Sequence, residues 1–214
     1  MIKIYPSLIN ANLMHLQQAI DQLEPHCDGF HIDVMDNHFV PNLTWGAQFV
    51  NAFTHASKKP LFVHLMVTKP EDFLQTLSLR TFDSFCFHIE TTNNPKKLIK
   101  YIREKKWRPA ITLKPNTPID ELFSCLSMID QVLLMSVNPG FSGQHFLPDS
   151  LERLETLVRF KKEHNLNFSI VMDGGINESN IGALKKRGAT EFGIASAIFD
   201  AHNPISMLEK LKAL

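Results

Sequence analysis

The stretch His31-Ile-Asp-Val-Met-Asp-Asn-His-Phe-Val-Pro-Asn42 opens as a strand and ends as a loop. Ile32 and Val34 are β-branched, and alternate side chains of a strand point to opposite faces. Ile32 and Val34 therefore share one face, while His31, Asp33 and Met35 share the other. If both faces are covered, a charge enters the interior. An isolated buried carboxylate costs on the order of several kcal/mol unless it is paired, hydrogen-bonded or bound to a metal. Asp33 needs a partner from elsewhere in the chain.

Outward from this stretch, short β-branched or aromatic runs alternate with segments of helical period. Strands are expected near residues 3–8, 29–35, 61–66, 84–89, 109–113, 131–136, 167–172 and 190–195. Between them lie amphipathic segments such as Asn12 to Leu23 and Ser150 to His164, the second with Leu151, Leu154, Leu157 and Val158 at helical spacing. Alternation of strand and helix implies a parallel sheet. About eight such units in 214 residues fit a compact α/β fold, the (β/α)8 or TIM barrel, for which about 250 residues is typical. A doubly wound open sheet is the main alternative. No Gly/Ser-rich linker or charge block divides the chain, so a single barrel domain over residues 1–214 is expected.

Composition narrows the partner. Lys plus Arg and Asp plus Glu both number 22, so the chain is neutral overall and lacks the electrostatic footprint of a nucleic-acid or anionic-membrane binder. A small molecule is the expected partner. Cys27, Cys86 and Cys125 are odd in number and far apart, which suits reduced thiols in a cytosol-like compartment. The N-terminus has no long apolar region, and nowhere do 18 apolar residues run together, so a soluble protein is expected.

Candidate partners for Asp33 follow from the strand ends. Val63-His64-Leu-Met-Val67 ends the third strand and Val171-Met-Asp173-Gly-Gly ends the seventh. In a barrel these ends converge on the C-terminal face, where the active sites of this fold lie. His31, Asp33, His64 and Asp173 would form a mixed nitrogen and oxygen set suited to a divalent transition metal such as Zn, Fe, Mn or Co. Singly, each residue has a plainer explanation: a strand histidine is more often hydrogen-bonded core, and an Asp before Gly-Gly a turn former.

A second set is rich in glycine. Asp173-Gly-Gly-Ile-Asn177 leads into a helix with Asn177 as its expected N-cap, and Gly193-Ile-Ala-Ser-Ala197 leads into the last helix. Bare N–H groups at helix starts bind phosphate, and the loops after strands seven and eight often hold one in this fold. Asn138-Pro-Gly-Phe-Ser-Gly-Gln144, after strand six, could close over a ligand as a lid. Together the two sets suggest a phosphorylated substrate whose other end meets a metal.

Seven motifs in register now carry a family resemblance: Pro6-Ser-Leu8, His31-Ile-Asp-Val-Met-Asp36, His38-Phe-Val-Pro-Asn-Leu-Thr44, His64-Leu-Met-Val67, Met135-Ser-Val-Asn-Pro-Gly-Phe-Ser-Gly-Gln144, Asp173-Gly-Gly-Ile-Asn177 and Ala195-Ser-Ala-Ile-Phe199. The chain closely resembles the ribulose-phosphate 3-epimerase family from near residue 4 to near residue 199. The resemblance implies a (β/α)8 barrel that interconverts D-ribulose 5-phosphate and D-xylulose 5-phosphate in the pentose phosphate pathway with one divalent metal, as a homo-oligomer. It assigns His31, Asp33, His64 and Asp173 to the metal, and makes Asp33 and Asp173 the acid/base pair. Inverting carbon 3 needs a carboxylate on each face of the substrate, one ionised and one protonated. The resemblance also assigns Met35, Met66 and Met135 to the site, although a Met near a strand end is usually core filler. Ser7 and His64 match substrate contacts, Gly140, Phe141, Ser142 and Gly143 the lid, and Gly174, Gly175, Ala195 and Ser196 the phosphate site.

Five positions depart from the commoner family pattern. Asn37 and Ser142 stand where Gly is usual, Asn12 where Asp is usual and Lys114 where Asn is frequent. Ala195 replaces a Gly and would be strained if its φ were positive. Two other functions remain open at this point: a 3-epimerase of a six-carbon ketose phosphate such as allulose 6-phosphate, and a non-catalytic sugar-phosphate-binding barrel.

Overall fold

In the computed structural model, which describes residues 2–214, eight strands of four to six residues run in one direction. They are β1 (Lys3–Pro6), β2 (Phe30–Met35), β3 (Leu61–Met66), β4 (Ser84–His88), β5 (Arg108–Leu113), β6 (Gln131–Met135), β7 (Ser169–Asp173) and β8 (Glu191–Ile194). Their order around the sheet is β1-β8-β7-β6-β5-β4-β3-β2, all parallel. The first strand pairs with the last, Lys3 opposite Glu191, and an isolated parallel bridge from Ser7 to His31 joins β1 to β2. A first strand paired with the last closes the sheet on itself, which excludes the doubly wound alternative. The expected TIM barrel is the fold.

The helices are α1 (Leu16–Leu23), α2 (Ala47–Ala56), α3 (Phe73–Thr76), α4 (Pro95–Glu104), α5 (Ser150–Glu163), α6 (Ile181–Lys186), α7 (Ser196–Phe199) and α8 (Pro204–Ala213). α4 illustrates how they form. Asn94 Oδ1 accepts from the Lys97 amide at 3.1 Å, Pro95 occupies the first turn, and Leu98, Ile99 and Ile102 are buried on the inward face. Full burial of such a side chain is worth about 1.5–3 kcal/mol.

Local structure departs from the sequence expectations at several points. The β5–β6 crossover contains two short 3₁₀ turns, Ile119–Leu122 and Leu126–Met128, and no α-helix. Asn12 caps a 3₁₀ turn, its Oδ1 accepting from the Met14 amide at 3.0 Å, so α1 itself begins later, at Leu16. Asn177 is not the N-cap of α6. That place belongs to Asn180, because the Asn177 side chain is engaged in a preceding turn with the Ser179 amide at 2.9 Å. Gly193 to Ala197 leads into the single turn α7, and α8 is the last helix. β7 extends through Asp173, which puts that carboxylate in the strand.

Two apolar layers hold the barrel. One lies between sheet and helices and includes Ile32, Val34, Val63, Leu65, Ile170 and Leu184. The other fills the interior with Tyr5, Phe62, Cys86, Ala110, Leu133 and Val171. Glu191 closes the N-terminal end, accepting from Tyr5 Oη at 3.1 Å and Gln131 Nε2 at 2.6 Å. Its burial is therefore satisfied. The other end of the interior is left open for the site.

Candidate active site

Strand register brings the four candidate residues together. Asp33 on β2 lies opposite His64 on β3, and Met135 on β6 lies opposite Asp173 on β7. His31 Nε2 and His64 Nδ1 both stand 3.1 Å from Asp33 Oδ1. Asp173 Oδ2 lies 3.6 Å from His31 Nε2 and 3.8 Å from His64 Nδ1. The four ligand atoms all lie within 4.8 Å of one another. Ser7 Oγ donates to Asp33 Oδ2 at 2.7 Å, which leaves Oδ1 for the imidazoles. Beneath them, the Phe62 ring stacks on His31 with centroids 5.3 Å apart.

The charges explain one another. Burial opposes ionisation of Asp33, but His31 and the hydrogen bonds from both imidazoles outweigh it and hold the carboxyl well below the usual range. Burial raises Asp173, partly offset by His31, and the Asp33 charge raises it further. Burial alone would keep His31 neutral, yet Asp33 and Asp173 push it up to about 9. His64 is pushed down to about 4, mainly by burial. One carboxylate favours the ionised form and its counterpart the protonated one. Two buried acids that draw a positive charge between them, with two ring nitrogens converging on the same point, fit a divalent cation in both charge and donor type.

Above this group opens a cleft. Asp33, Asp173, Ser7 and the three methionines Met35, Met66 and Met135 line its floor. His31 and His64 are fully buried and lie below it, so the cleft reaches the carboxylates directly and the imidazoles only through them. Gly140, Phe141, Ser142 and Gly143 line one wall, and Gly174, Gly175, Ala195 and Ser196 the other. The wall formed by the loop after β6 is tied down at two points. Ser142 Oγ donates to Asn10 Oδ1 at 2.5 Å, and Asn42 Nδ2 donates to the Gly140 carbonyl at 2.7 Å.

Backbone angles settle two of the unusual positions. Ala195 has φ of −101°, so no left-handed strain accompanies the loss of glycine there. Asn37 has φ of 57°, a conformation that Asn tolerates better than most residues. Gly174 needs to be glycine twice over: its φ is 105°, and a Cβ would come within 2.3 Å of Val137. Lys114 stands outside the cleft, its amide donating to Glu90 at 2.7 Å and its ammonium 3.9 Å from the Phe39 ring centroid.

Two further residues shape the site: His88, which did not stand out in the sequence, and Gly193, read there only as part of a glycine-bearing loop. His88, fully buried at the end of β4, places Nε2 2.9 Å from His64 Nε2. Gly193 on β8 faces the same group, where a Cβ would stand 2.9 Å from His31 Nδ1 and 3.2 Å from Asp173 Oδ1. The run Phe85-Cys-Phe-His-Ile-Glu90 carried a signal for His88, a histidine at a strand end followed by a carboxylate two residues on.

The sequence profile of the Ribulose-phosphate 3 epimerase family matches residues 3–199. The chain belongs to that family. As a member of the ribulose-phosphate 3-epimerase family it is an enzyme, of the isomerase class. It is 36% identical to the ribulose-phosphate 3-epimerase, cytoplasmic isoform, of Oryza sativa subsp. japonica over 98% of this chain and 92% of the rice protein. It is 37% identical to the ribulose-phosphate 3-epimerase of Treponema pallidum over 91% of this chain and 89% of that one. Among solved structures, KGPDC from Streptococcus mutans superposes with a TM-score of 0.73 at 15% identity, covering 100% of this chain and 97% of that one. A 3-hexulose-6-phosphate synthase gives 0.67 at 15% identity, covering 99% of each chain. At such identities the likeness speaks for the barrel alone. Among the described residues, no helix of this family member is long and apolar enough to cross a membrane.

Proposed function

We propose that this chain interconverts D-ribulose 5-phosphate and D-xylulose 5-phosphate by moving a proton at carbon 3 between Asp33 and Asp173. The observation that carries this reading is the pair of carboxylates from β2 and β7, both open to one cleft and held in opposite protonation preferences. Epimerisation needs that combination, because the proton leaves one face of the carbon and a proton returns on the other. The ionised carboxylate takes the C3 proton, the protonated one delivers its own, and the reverse reaction exchanges their roles.

His31 Nε2, His64 Nδ1 and the two carboxylates would hold one divalent ion, Zn, Fe, Mn or Co. When bound, such an ion supplies Lewis-acid stabilisation of the negative charge that proton removal sends to the substrate carbonyl oxygen. Ser7 fixes Asp33 through Oδ2, leaving Oδ1 to the two imidazoles. Gly174, Gly175, Ala195 and Ser196 line the cleft where the substrate phosphate would be received. The loop from Gly140 to Gly143 excludes water from the opposite side. Met35, Met66 and Met135 surround the reacting carbons with apolar, polarisable sulfur. Assignment to the pentose phosphate pathway, a cytosolic homo-oligomer and a small sugar phosphate as the only partner belongs to the same reading. It agrees with three free, buried cysteines.

Turnover of D-ribulose 5-phosphate by the purified protein tests the proposal, with allulose 6-phosphate as the parallel substrate. Asp33→Asn and Asp173→Asn should each lower kcat by about 10²–10⁴-fold, the usual worth of a general acid or base. Near-normal activity in either variant removes that residue from the mechanism, and faster turnover of the six-carbon sugar reassigns the substrate.

A further inference from the structure

The His64 ring meets two different neighbours. Its Nδ1 faces Asp33, whereas its Nε2 stands 2.9 Å from His88 Nε2, the two rings meeting end to end with planes 24° apart and centroids 5.1 Å apart. His88 is fully buried, does not line the cleft and lies outside the four-residue ligand group, so it touches neither substrate nor cation. On its far side, His88 Nδ1 makes no hydrogen bond among the described residues and stands 3.5 Å from Glu90 Oε2. Glu90 is itself held through Oε1, which accepts from the Lys114 amide at 2.7 Å and from Thr117 Oγ1.

Proton counting assigns these nitrogens. Two imidazole nitrogens at 2.9 Å share one hydrogen, because two lone pairs or two N–H groups would repel. A ligand nitrogen must present a lone pair, so if His64 Nδ1 binds the cation, the His64 proton sits on Nε2 and donates to His88 Nε2. The neutral His88 then carries its own proton on Nδ1, directed at the Glu90 carboxylate. The tautomer of His64 is set by the hydrogen bond made by its other nitrogen, and the Glu90 charge 3.5 Å away favours the proton of His88 on Nδ1.

We infer that Glu90 and His88 are positioning residues which, through the tautomer of His64, aim its Nδ1 lone pair at the metal site. The inference rests on the proposed metal centre and adds to it a line of groups from the loop after β5 through the end of β4 to β3. It also gives a role to a buried imidazole that the acid/base chemistry does not use.

The test measures cobalt(II) and zinc(II) affinity of the full-length protein by chelator competition, with substrate absent. His88→Phe keeps an aromatic ring in the same place and removes the acceptor; it should weaken binding by about 10- to 100-fold, as loss of a partner behind a metal ligand usually does. His88→Gln restores a carbonyl acceptor and should lie within about threefold of wild type. Ring ¹⁵N NMR of the zinc-loaded wild type needs no variant: the proton is expected on His64 Nε2 and His88 Nδ1. Equal affinity in His88→Phe, or a proton on His88 Nε2, overturns the inference while leaving the metal centre standing. A wild-type protein that binds neither ion overturns both.

Discussion

Ser7 Oγ donates to Asp33 Oδ2 at 2.7 Å, while Asp33 Oδ1 stands 3.1 Å from both His31 Nε2 and His64 Nδ1. One oxygen of the carboxylate is thereby fixed by strand β1 and the other is committed to the site. A hydrogen bond to a charged group is worth about 1.5–3 kcal/mol. Ser7→Ala should lower kcat/KM by about 10- to 100-fold and leave the far-ultraviolet circular dichroism spectrum unchanged. Unaltered kinetics would mean that β2 positions Asp33 unaided.

Gly193 gives a steric prediction. A methyl group there would stand 2.9 Å from His31 Nδ1, a buried atom without a hydrogen-bond partner among the described residues. Gly193→Ala should rotate His31 out of line, weaken cobalt(II) binding by at least about tenfold and cut turnover in parallel. Titration of the variant with cobalt(II) decides the matter, and wild-type affinity would show that β8 can retreat.

The loop after β6 offers a milder change. Ser142 reaches Asn10, and Asn10 Nδ2 in turn donates to Asp200 at 2.8 Å. Ser142→Gly removes this tie and frees the backbone as well. The expected result is a KM raised a few-fold with kcat unchanged or higher, since opening of such loops often limits turnover. A fall in kcat at constant KM would contradict a latch and point to a role in the chemistry.

Acid stability should depend on Asp36. Burial disfavours its charge, but the amides of Thr68, Phe39 and His38 outweigh this and lower the carboxyl from 3.8 to about 2. A group lowered on folding contributes stability above its unfolded value and loses it as the pH falls toward its folded one. The gap in urea stability between wild type and Asp36→Asn should therefore be widest above about pH 4 and should close toward pH 2. A gap that stays constant with pH would assign the effect of Asn to sterics.

Cation binding should also register as stability. An ion that binds only the folded chain at roughly 100 times its Kd stabilises it by about 2.7 kcal/mol. Chelator treatment should therefore lower Tm by several degrees while the barrel persists. Thermal melts with and without cobalt(II) measure this, and coincident melts would argue against a cation between Asp33 and Asp173.

The sequence made the barrel and the four-residue cluster readable for the same reason. Alternation along β2 puts His31 and Asp33 on one face, and the strand-then-helix rhythm says where strand ends meet, so Asp33, His64 and Asp173 can be brought together on paper. His88 and Gly193 escaped that logic, because their roles are distances to atoms on other strands. A histidine hydrogen-bonded to another histidine and a missing methyl group have no periodicity. Capping was misread at Asn177 because two asparagines three residues apart compete for adjacent turns, and only the backbone decides that Asn180 heads α6. Between Pro118 and β6 the spacing suggested one more helix, yet Ser124 and Ser127 interrupt a short segment that settles into 3₁₀ turns.

The pairing of β1 with β8 has a consequence for how the enzyme comes into being. Lys3 meets Glu191 only after nearly the whole chain exists, and Ser7 reaches Asp33 from the strand that this pairing holds. Until β8 is in place, the end of β1 is held to the sheet only through the Ser7–His31 bridge to β2. Contacts so distant along the chain form slowly. A chain without that pairing thus has the histidines and carboxylates of the cluster, yet lacks the strand end that seats Ser7 against Asp33.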